Sequence, residues 1–286
     1  MYFKSLVPII NVIAFIEYLI LFNNKHMTLQ SLSLNAIQNI PLIKPQDDLV
    51  DIILHALSSS GYELENNDII AIAQKIVSKS EGRLVDLATV NPSEKAIKLA
   101  QEINKDPRQI ELILSESKEI IAYKPGVIIV EHHSGVILAN AGIDHSNVAS
   151  NTDSSNEKEV VSLLPKDSNK SAKRLKKEIE KQCKKQIGII ITDSIGRPWR
   201  MGTTGVALGS AGIETIRDLR GDKDMFGREL LVSETADADS LACAACLLMG
   251  EGDDATPVVL IRGVETVISD QDTRQLLRPK DEDMFR

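Results

Sequence analysis

The sequence lacks the short motifs that mark the commonest nucleotide-binding and hydrolase sites. It has no G-x-x-x-x-G-K-[ST] phosphate loop, no G-x-G-x-x-G turn after a strand, no G-x-S-x-G and no H-E-x-x-H. These absences exclude a P-loop, the usual dinucleotide fingerprint, a nucleophile elbow and a zinc-peptidase helix. The five histidines are scattered, and the adjacent His132 and His133 would point to opposite faces of a strand, so they do not predict a zinc centre.

Aromatic residues and positive charge are also scarce. Only 3% of residues are aromatic, so stacking platforms for single-stranded nucleic acid are not expected. The formal net charge of -8 disfavours nonspecific binding to nucleic acid or to an anionic membrane. An anionic ligand must therefore be held by local Arg and Lys clusters or by a metal ion.

Cysteine is rare, with three residues in the chain. This number argues against a disulfide scaffold and fits a reducing compartment, so we predict a cytoplasmic protein. Cys243 and Cys246 form a C-x-x-C within an apolar stretch, but no second cysteine pair completes a zinc site. We interpret both as small hydrophobic side chains in the middle of a helix.

A long apolar run lies near the N-terminus. Residues 5–22 are numerous enough for a membrane span, but Pro8 and Glu17 interrupt them and no small-residue cleavage site follows. We interpret residues 1–26 as an extension ahead of a soluble domain over residues 27–286, with a membrane anchor as the alternative.

The rest of the chain alternates between predicted strands and helices, which indicates an α/β or α+β protein. Sequence patterns predict helices over residues 47–58, 93–104, 107–115, 171–184 and 236–249. Short apolar runs predict strands over residues 68–73, 127–131, 136–139, 188–192 and 257–263, of which the second and third form a hairpin. The polar residues 149–159 predict a surface insertion.

Acidic residues follow several of the predicted strands. Asp193 and Ser194 come directly after the apolar run 188–192, and Asp144 lies on a glycine turn after the predicted hairpin. Ligands bind beyond the carboxyl ends of strands in open α/β sheets, so neighbouring strands would bring the two aspartates to one edge. With Glu251 they form an oxygen-rich set that selects Mg²⁺ or Mn²⁺. The alternatives are a helix N-cap for Asp193 and Ser194 and an Asx turn for Asp144.

Basic residues that could hold phosphate groups occur in the neighbouring blocks of sequence: Lys75, Lys79, Arg83, Arg197 and Arg200. The turn with Gly250 and Gly252 would let the backbone approach a nucleotide closely. Residues 217–228 form a further Arg-rich loop, which could hold an acidic substrate or be a surface loop of ion pairs.

Six sequence blocks occur in order along the chain: IPLIKPQDDL (40–49), AQKIVSKSEGR (73–83), KDPRQIELILSES (105–117), NAGIDHSN (140–147), ITDSIGRPWRMG (191–202) and MGEGDDATPVVLIRG (249–263). Together they resemble the coenzyme F420:L-glutamate ligase family, from about residue 38 to about residue 265. Six ordered blocks are far more specific than any one of these motifs alone.

The resemblance implies an α+β fold of two intimate subdomains, with mixed and antiparallel sheets and flanking helices, outside the P-loop and ATP-grasp classes. It implies a GTP-dependent ligase that adds L-glutamate through γ-linkages to the lactyl-phosphate side of an 8-hydroxy-5-deazaflavin, the coenzyme F420 precursor. Two Mg²⁺ or Mn²⁺ ions, K⁺ as an activator and a homodimer are implied as well. Activation of the acceptor carboxylate as an acyl phosphate fits this chemistry, because it needs no histidine base or cysteine nucleophile.

The resemblance also assigns roles to residues. Asp144, Asp193, Ser194 and Glu251 match metal ligands, and we expect Asp144, Asp193 and Arg197 to take part in catalysis. The segments that match nucleotide contacts contain Ile40, Pro41, Leu42, Ile43, Gln74, Lys75, Lys79, Asn147, Met249, Gly250, Gly252, Asp253, Asp254, Ala255 and Thr256.

The chain departs from the family pattern in three places. Ser194 stands where threonine is more usual, although the hydroxyl group is kept. Glu251 stands where glutamine is frequent, which weakens its assignment as a ligand. The extension before Met27 and the insertion after Asn147 have no family counterpart.

Two other functions stay open from the residues alone. A GTP-binding regulatory module would bind nucleotide without forming a product. A metal-dependent phosphatase would hydrolyse phosphate esters without a glutamate requirement, but the D-x-[DT] nucleophile pattern is missing at Asp193.

Overall fold

The structure is a computed structural model that describes residues 31–144, 159–264 and 269–285. The described residues from Ser33 onward form one compact unit. The strands described are β1 (Ser33–Ala36), β2 (Ile69–Ala73), β3 (Leu84–Asp86), β4 (Ser117–Lys124), β5 (Val127–His132), β6 (Ile137–Ala139), β7 (Val160–Ser162), β8 (Gly188–Arg197), β9 (Arg200–Ala211), β10 (Arg217–Asp218), β11 (Glu234–Thr235) and β12 (Val258–Arg262). The α-helices described are α1 (Leu49–Ser59), α2 (Gln74–Ser80), α3 (Glu94–Ile103), α4 (Pro107–Ser115), α5 (Ser168–Cys183) and α6 (Asp237–Met249).

Five strands form a mixed central sheet in the order β1-β12-β2-β8-β9. β2 and β8 are parallel, and the other neighbouring pairs are antiparallel. β2, β12 and the first half of β8 are nearly continuous runs of Ile, Val, Leu and Ala. Such runs are expected of strands that are buried on both faces.

Helices cover both faces of this sheet. Ile70 and Ile72 of β2 pack in a cluster with residues of α1 and α5, whereas Ile69 and Ala71 pack with residues of α6. The alternation follows from the two-residue period of an extended strand. Because both faces are covered, the ends of the strands are where polar side chains from the sheet can meet a ligand.

A second core lies between α3, α4 and the three-stranded antiparallel sheet β4-β5-β6. Ile103 of α3, Ile110 of α4 and Ile128 of β5 are fully buried in it. Ser93 and Asp106 cap the two helices by accepting hydrogen bonds from first-turn amides. Caps of this type stabilise a helix by about 1 kcal/mol each.

The predicted α+β class is confirmed, and every helix predicted from the sequence is present with small shifts at its ends. The helix predicted over residues 107–115 coincides with α4, and the predicted hairpin corresponds to β5 and β6. The division into two subdomains stays a prediction. Residues 1–30, which include the apolar run, and 149–158 of the predicted insertion lie outside the described residues.

Among the residues that the structure describes, the helices are too short or too polar to cross a membrane.

The strand predicted over residues 188–192 is wrong in extent. β8 continues to Arg197 and pairs with β9, so Asp193 and Ser194 lie inside a strand and neither caps a helix. The second half of β8 contains Asp, Ser, Gly and Arg, so no apolar run reveals it, and backbone hydrogen bonds to β9 supply its stability. The sequence predictions also lack the helix α2 and the strands β1, β3, β4, β7, β9, β10 and β11.

β9 passes so close to α5 that Gly209 leaves no room for a side chain. A Cβ at this position would lie 2.3 Å from the carbonyl carbon and 2.4 Å from the carbonyl oxygen of Ser168. We expect Gly209→Ala to lower the free energy of unfolding by about 1–3 kcal/mol, because one of the two backbones must shift. Urea unfolding measures the change. Gly196→Ala is the matched control, since nothing lies within 4 Å of its Cβ position, and equal losses in both variants would contradict the close approach.

Candidate active site

A pocket of about 410 Å³ opens at the carboxyl ends of β2 and β8. The junction of β2 and α2 contributes Lys75, β8 contributes Asp193 and Ser194, and the turn between α6 and β12 contributes Glu251. Asp144 reaches the same pocket from the segment after β6. Segments that lie far apart in the sequence therefore place acidic, basic and hydroxyl groups around one cavity.

The parallel pairing of β2 and β8 explains why two of these segments meet. Ala73 at the end of β2 pairs with Thr192 of β8. The next residues along the two strands, Gln74 and Asp193, therefore emerge side by side at one edge of the sheet. This is the edge at which open α/β sheets bind ligands. β2 runs directly into α2, which places Lys75 in the wall of the pocket.

The contact that places Asp144 at the pocket could not be predicted from the sequence. It follows a short 3-10 turn over Asn140–Gly142, and its backbone exchanges two hydrogen bonds with Ser162, of 3.1 and 2.9 Å. The structure brings Asp144 and Asp193 to one pocket, as expected, but the expectation that they follow neighbouring strands of one sheet is wrong. β6 belongs to the three-stranded sheet β4-β5-β6 and not to the central sheet. The two backbone hydrogen bonds with Ser162 of β7 hold Asp144 at the pocket.

The turn after α6 is held in a tight conformation. The Thr256 hydroxyl donates to the Leu248 carbonyl at 2.8 Å and ties the turn to the helix end. Gly250 has φ +69°, and a Cβ there would collide with the Asp254 carboxylate. Only glycine permits both the backbone angle and this close packing. The turn thus presents its backbone and Glu251 to the pocket at close range.

The carboxyl group of Asp193 dominates the electrostatics of the pocket. Its pKa rises to about 7, first because the group is buried and then because Asp144 and Glu251 carry like charges nearby. The Ser194 amide, which donates to Asp193 Oδ1 at 3.0 Å, and the charge of Lys75 oppose the rise. A cation bound beside Asp193 would favour its charged form and so release this unfavourable interaction.

Two lysines supply positive charge to the same pocket. Lys75 Nζ lies 2.6 Å from Asp144 Oδ2 in an ion pair. Burial lowers the pKa of Lys79, and the charge of Lys75 lowers it further. Neighbouring ammonium groups repel each other less when an anion lies between them, and phosphate groups are such anions.

The donor set fits a hard divalent cation whose shell is completed by phosphate oxygens. No three His, Cys, Asp or Glu side chains of the described residues are arranged to hold a metal ion by themselves. Mg²⁺ does not require such a cage, since it usually binds one or two carboxylates together with substrate phosphates. Asp193 and Asp144 provide carboxylates here. The Ser194 hydroxyl and the Glu251 carboxylate supply further oxygen atoms in the same pocket, and the hydroxyl donates a hydrogen bond of 3.0 Å to the carboxylate.

Most residues predicted from the sequence line this pocket: Leu42, Gln74, Lys75, Lys79, Asp144, Asp193, Ser194, Met249, Gly250, Glu251, Gly252, Asp253, Ala255 and Thr256. Ile40 and Ile43 instead pack in the core cluster of α1 and α5, and Pro41 is exposed. Asp254 packs against Gly250. Asn147 lies outside the described residues.

The structure does not bring Arg197 into the lining of the pocket. β8 continues as a strand beyond Asp193 and carries Arg197 to the tip of the β8–β9 hairpin, where it is exposed. At about 3.3 Å per residue, the tip lies roughly 13 Å along the strand from Asp193. The distance follows from the length of β8, which the sequence underestimates.

Several lining residues were not predicted: Ala73, Ile76, Thr192, Cys246 and Pro257. Cys246 is on a helix as expected, but it is only half-buried and borders the pocket. Its thiol lies 3.2 Å from the Thr192 hydroxyl, and burial raises the pKa of the thiol. Helical spacing could have predicted this position at the pocket, because Cys246 lies about one turn before Met249 on the same side of α6.

A crevice at strand ends that combines one buried carboxyl group, further carboxylates, lysines and a glycine turn is typical of enzymes that act on phosphorylated, anionic ligands. Comparison with known proteins shows which enzyme family this chain belongs to. Residues 38–263 match the family model described as F420-0:Gamma-glutamyl ligase. The chain is 44% identical over 225 residues to the coenzyme F420:L-glutamate ligase of Methanocaldococcus jannaschii, covering 79% of this chain and 87% of that protein.

Two further relatives with the same name match over nearly their whole length. The protein of Methanothermobacter thermautotrophicus is 39% identical over 89% of this chain and 99% of its own. The protein of Archaeoglobus fulgidus is 37% identical over 87% of this chain and 94% of its own. The chain therefore belongs to the F420-0:gamma-glutamyl ligase family and is a ligase that forms an amide bond.

We expect Asp193→Asn to stabilise the protein at pH 8 when divalent cations are removed by a chelator. The pKa of Asp193 rises on folding from its ordinary 3.8 to about 7. The folded state therefore binds this proton more tightly than the unfolded state, and stability falls as the pH rises from 3.8 through 7. Asparagine removes that loss, so the advantage of the variant should grow by roughly 2 kcal/mol between pH 5 and pH 8.

Urea unfolding of both proteins at the two pH values measures the difference. Asp270→Asn, which removes one negative charge at an exposed position, is the control. An advantage that stays constant with pH would show that Asp193 is not forced to ionise in a buried site.

Proposed function

We propose that this chain adds L-glutamate through a γ-linkage to the coenzyme F420 precursor, with GTP as the phosphoryl donor. The family assignment and the names of the relatives support the substrates. The observation that carries the proposal is the single pocket that holds Lys75, Lys79 and Asp193 beside the glycine turn after α6. These are the groups that phosphoryl transfer to a carboxylate requires.

The chemistry must overcome the poor reactivity of a carboxylate toward amines. An oxygen of the acceptor carboxylate attacks the γ-phosphorus of GTP, the bond between the β,γ-bridging oxygen and that phosphorus breaks, and GDP leaves. The product is an acyl phosphate. The amino group of glutamate then attacks the acyl carbon, inorganic phosphate departs and the nitrogen loses a proton. Catalysis of this kind depends on positioning and on charge stabilisation rather than on a protein nucleophile.

The described residues fit these tasks. Lys75 and Lys79 hold and neutralise phosphate oxygens, and the backbone of the turn with Gly250 and Gly252 packs against the nucleotide. Asp193, Asp144, Ser194 and Glu251 would hold two Mg²⁺ or Mn²⁺ ions, which would neutralise the charge on the transferring phosphoryl group; K⁺ would act as an activator.

We also propose that the enzyme is a cytoplasmic homodimer. Residues 217–235 form an arm, in which β10 and β11 pair, that exposes large apolar side chains: Met225, Phe226, Leu231 and Val232. Exposed apolar groups of this number on one segment favour contact with another protein surface. The three cysteines are free thiols, which fits a reducing compartment.

The proposed reaction is tested by its products. The protein is incubated with Mn²⁺, glutamate, the unglutamylated precursor and either GTP or ATP, and the deazaflavin products are weighed by mass spectrometry. We expect one or more added glutamates and equal amounts of amide and GDP when GTP is present. GTP hydrolysis without a glutamylated product, or glutamylation at the same rate with ATP, would contradict the proposal.

We expect Asp193→Asn to lower the turnover number by at least about a hundredfold while the protein stays folded, because the buried carboxylate is replaced by a neutral amide that binds a cation weakly. The steady-state rate of GDP release measures this. Asp239→Asn is a useful comparison: its carboxylate is partly buried and accepts a hydrogen bond from the Ala207 amide on β9, away from the pocket lining. Comparable losses in the two variants would point to a structural effect.

We expect Lys79→Met to raise the KM for GTP about tenfold or more and to leave the KM for glutamate nearly unchanged, since the lysine would contact phosphate oxygens. Methionine keeps the unbranched apolar stem and removes the ammonium group, and initial rates at varied GTP measure the effect. Lys44→Met removes one positive charge outside the pocket lining and is the control. An unchanged KM for GTP in Lys79→Met would remove Lys79 from the nucleotide site.

A further inference from the structure

The tip of the β8–β9 hairpin combines two features that are energetically unfavourable in the free protein. Arg197 and Arg200 are paired directly across the two strands. Like charges in directly opposed positions of an antiparallel pair destabilise it. Between them lies Trp199, the only tryptophan of the chain, in a left-handed backbone conformation with φ 58° and with 79% of its surface exposed.

The charge on the two arginines is not balanced by the described part of the protein. Neither guanidinium group forms an ion pair or a side-chain hydrogen bond with a described residue. Some exposed arginines elsewhere are neutralised by acidic partners: Arg220 pairs with Asp218 and Glu234, and Arg274 pairs with Asp272. In a chain of net charge -8, which has more acidic than basic residues, two adjacent guanidinium groups without acidic partners form a local binding site for an anion.

The indole ring of Trp199 has an aromatic neighbour. Its ring packs against Phe285 with ring centroids 4.7 Å apart and planes tilted by 55°. A tilted aromatic contact of this kind is favourable. Phe285 therefore supports the indole ring, while most of the Trp199 surface, together with the fully exposed Met201, stays open for a flat apolar ligand.

The hairpin tip is continuous with the active site. Ser194 lines the pocket, and Arg197 follows it by three residues on the same strand, which is roughly 10 Å at strand spacing. A ligand whose reactive end lies in the pocket and whose body extends along β8 would therefore meet the arginines next and the tryptophan last. A ligand that carries negative charge beyond its reactive end and a flat ring at its far end would match these groups.

We propose that Arg197, Trp199 and Arg200 bind the acceptor substrate outside the nucleotide pocket. The guanidinium groups hold the phosphate that links the lactyl group to the rest of the molecule, and the indole ring of Trp199 stacks on the deazaflavin ring. This inference rests on the proposed function, because the acceptor of that reaction has a carboxylate, a phosphate and a flat ring in this order. It also gives Arg197 a role in substrate binding at a position away from the phosphoryl group.

The single tryptophan provides a direct measurement. Stacking of the deazaflavin ring on Trp199 should quench the tryptophan emission of the folded protein as the precursor is added. GTP and glutamate should leave the emission nearly unchanged. N-acetyltryptophanamide at the same concentration corrects for light that the precursor absorbs, and equilibrium dialysis measures precursor binding independently of fluorescence.

Kinetics of a double variant test the arginines. We expect Arg197→Gln with Arg200→Gln to raise the KM for the precursor about tenfold or more and to leave the KM for GTP nearly unchanged, because guanidinium–phosphate contacts are charge-assisted. The KM of the native enzyme for the precursor should rise with added salt, and that of the variant should rise less. Lys95→Gln with Lys98→Gln is the matched control, since it removes two exposed positive charges from α3.

The outcomes separate this inference from the proposed function. A native enzyme that forms no glutamylated product overturns both. An active native enzyme overturns only the inference in any of three cases: the precursor binds without quenching Trp199, the arginine variant keeps its KM for the precursor, or light scattering shows that this variant has lost a dimer present in the native and lysine-control proteins. Quenching together with a selective rise in the precursor KM supports it.

Discussion

The structure depends on one electrostatic constraint, the burial of a carboxyl group at the end of a parallel strand pair. Asp193 lies where β8 leaves the apolar interior of the central sheet, and burial together with Asp144 and Glu251 raises its pKa to about 7. The Ser194 amide and the charge of Lys75 offset only part of this unfavourable environment. The free protein therefore keeps a site that is stabilised when positive charge is brought in, which is the electrostatic state expected of a pocket for cations and phosphates.

The framework around Asp193 keeps this constraint in place. β2, β8 and β12 are buried on both faces, so their register is fixed by close packing with α1, α5 and α6. The pairing of Ala73 with Thr192 then sets where the β2–α2 junction meets β8. Gly209 lets β9 approach α5 closely, and this approach supports the outer edge of β8. A polar site with a raised pKa is tolerated because the sheet beneath it is apolar and tightly packed.

The sequence predicted regular, locally signalled elements well and the extended polar ones poorly. α4 matches its predicted bounds because Asp106 and Pro107 mark its start and its apolar spacing marks its length. The second half of β8 and the long strand β9 were missed, since their residues are polar or small and their stability comes from pairing with each other. The error matters for the site, because it placed Arg197 beside Asp193 when the extended strand separates them. Asp144 lines the same pocket as Asp193, as expected, but it does not follow a neighbouring strand of the same sheet.

The sequence by itself determined the chemical inventory: which carboxylates, lysines and glycine turn are available, and which family the ordered blocks belong to. These properties reside in residue types and short spacings, which are local. Tertiary structure alone decided which of these groups share a pocket and which do not. The bridge between Asp144 and Ser162, the half-buried position of Cys246 and the exposed tip with Trp199 all arise from contacts between distant segments. Such contacts depend on how sheets and helices pack, and short-range patterns along a chain do not encode them.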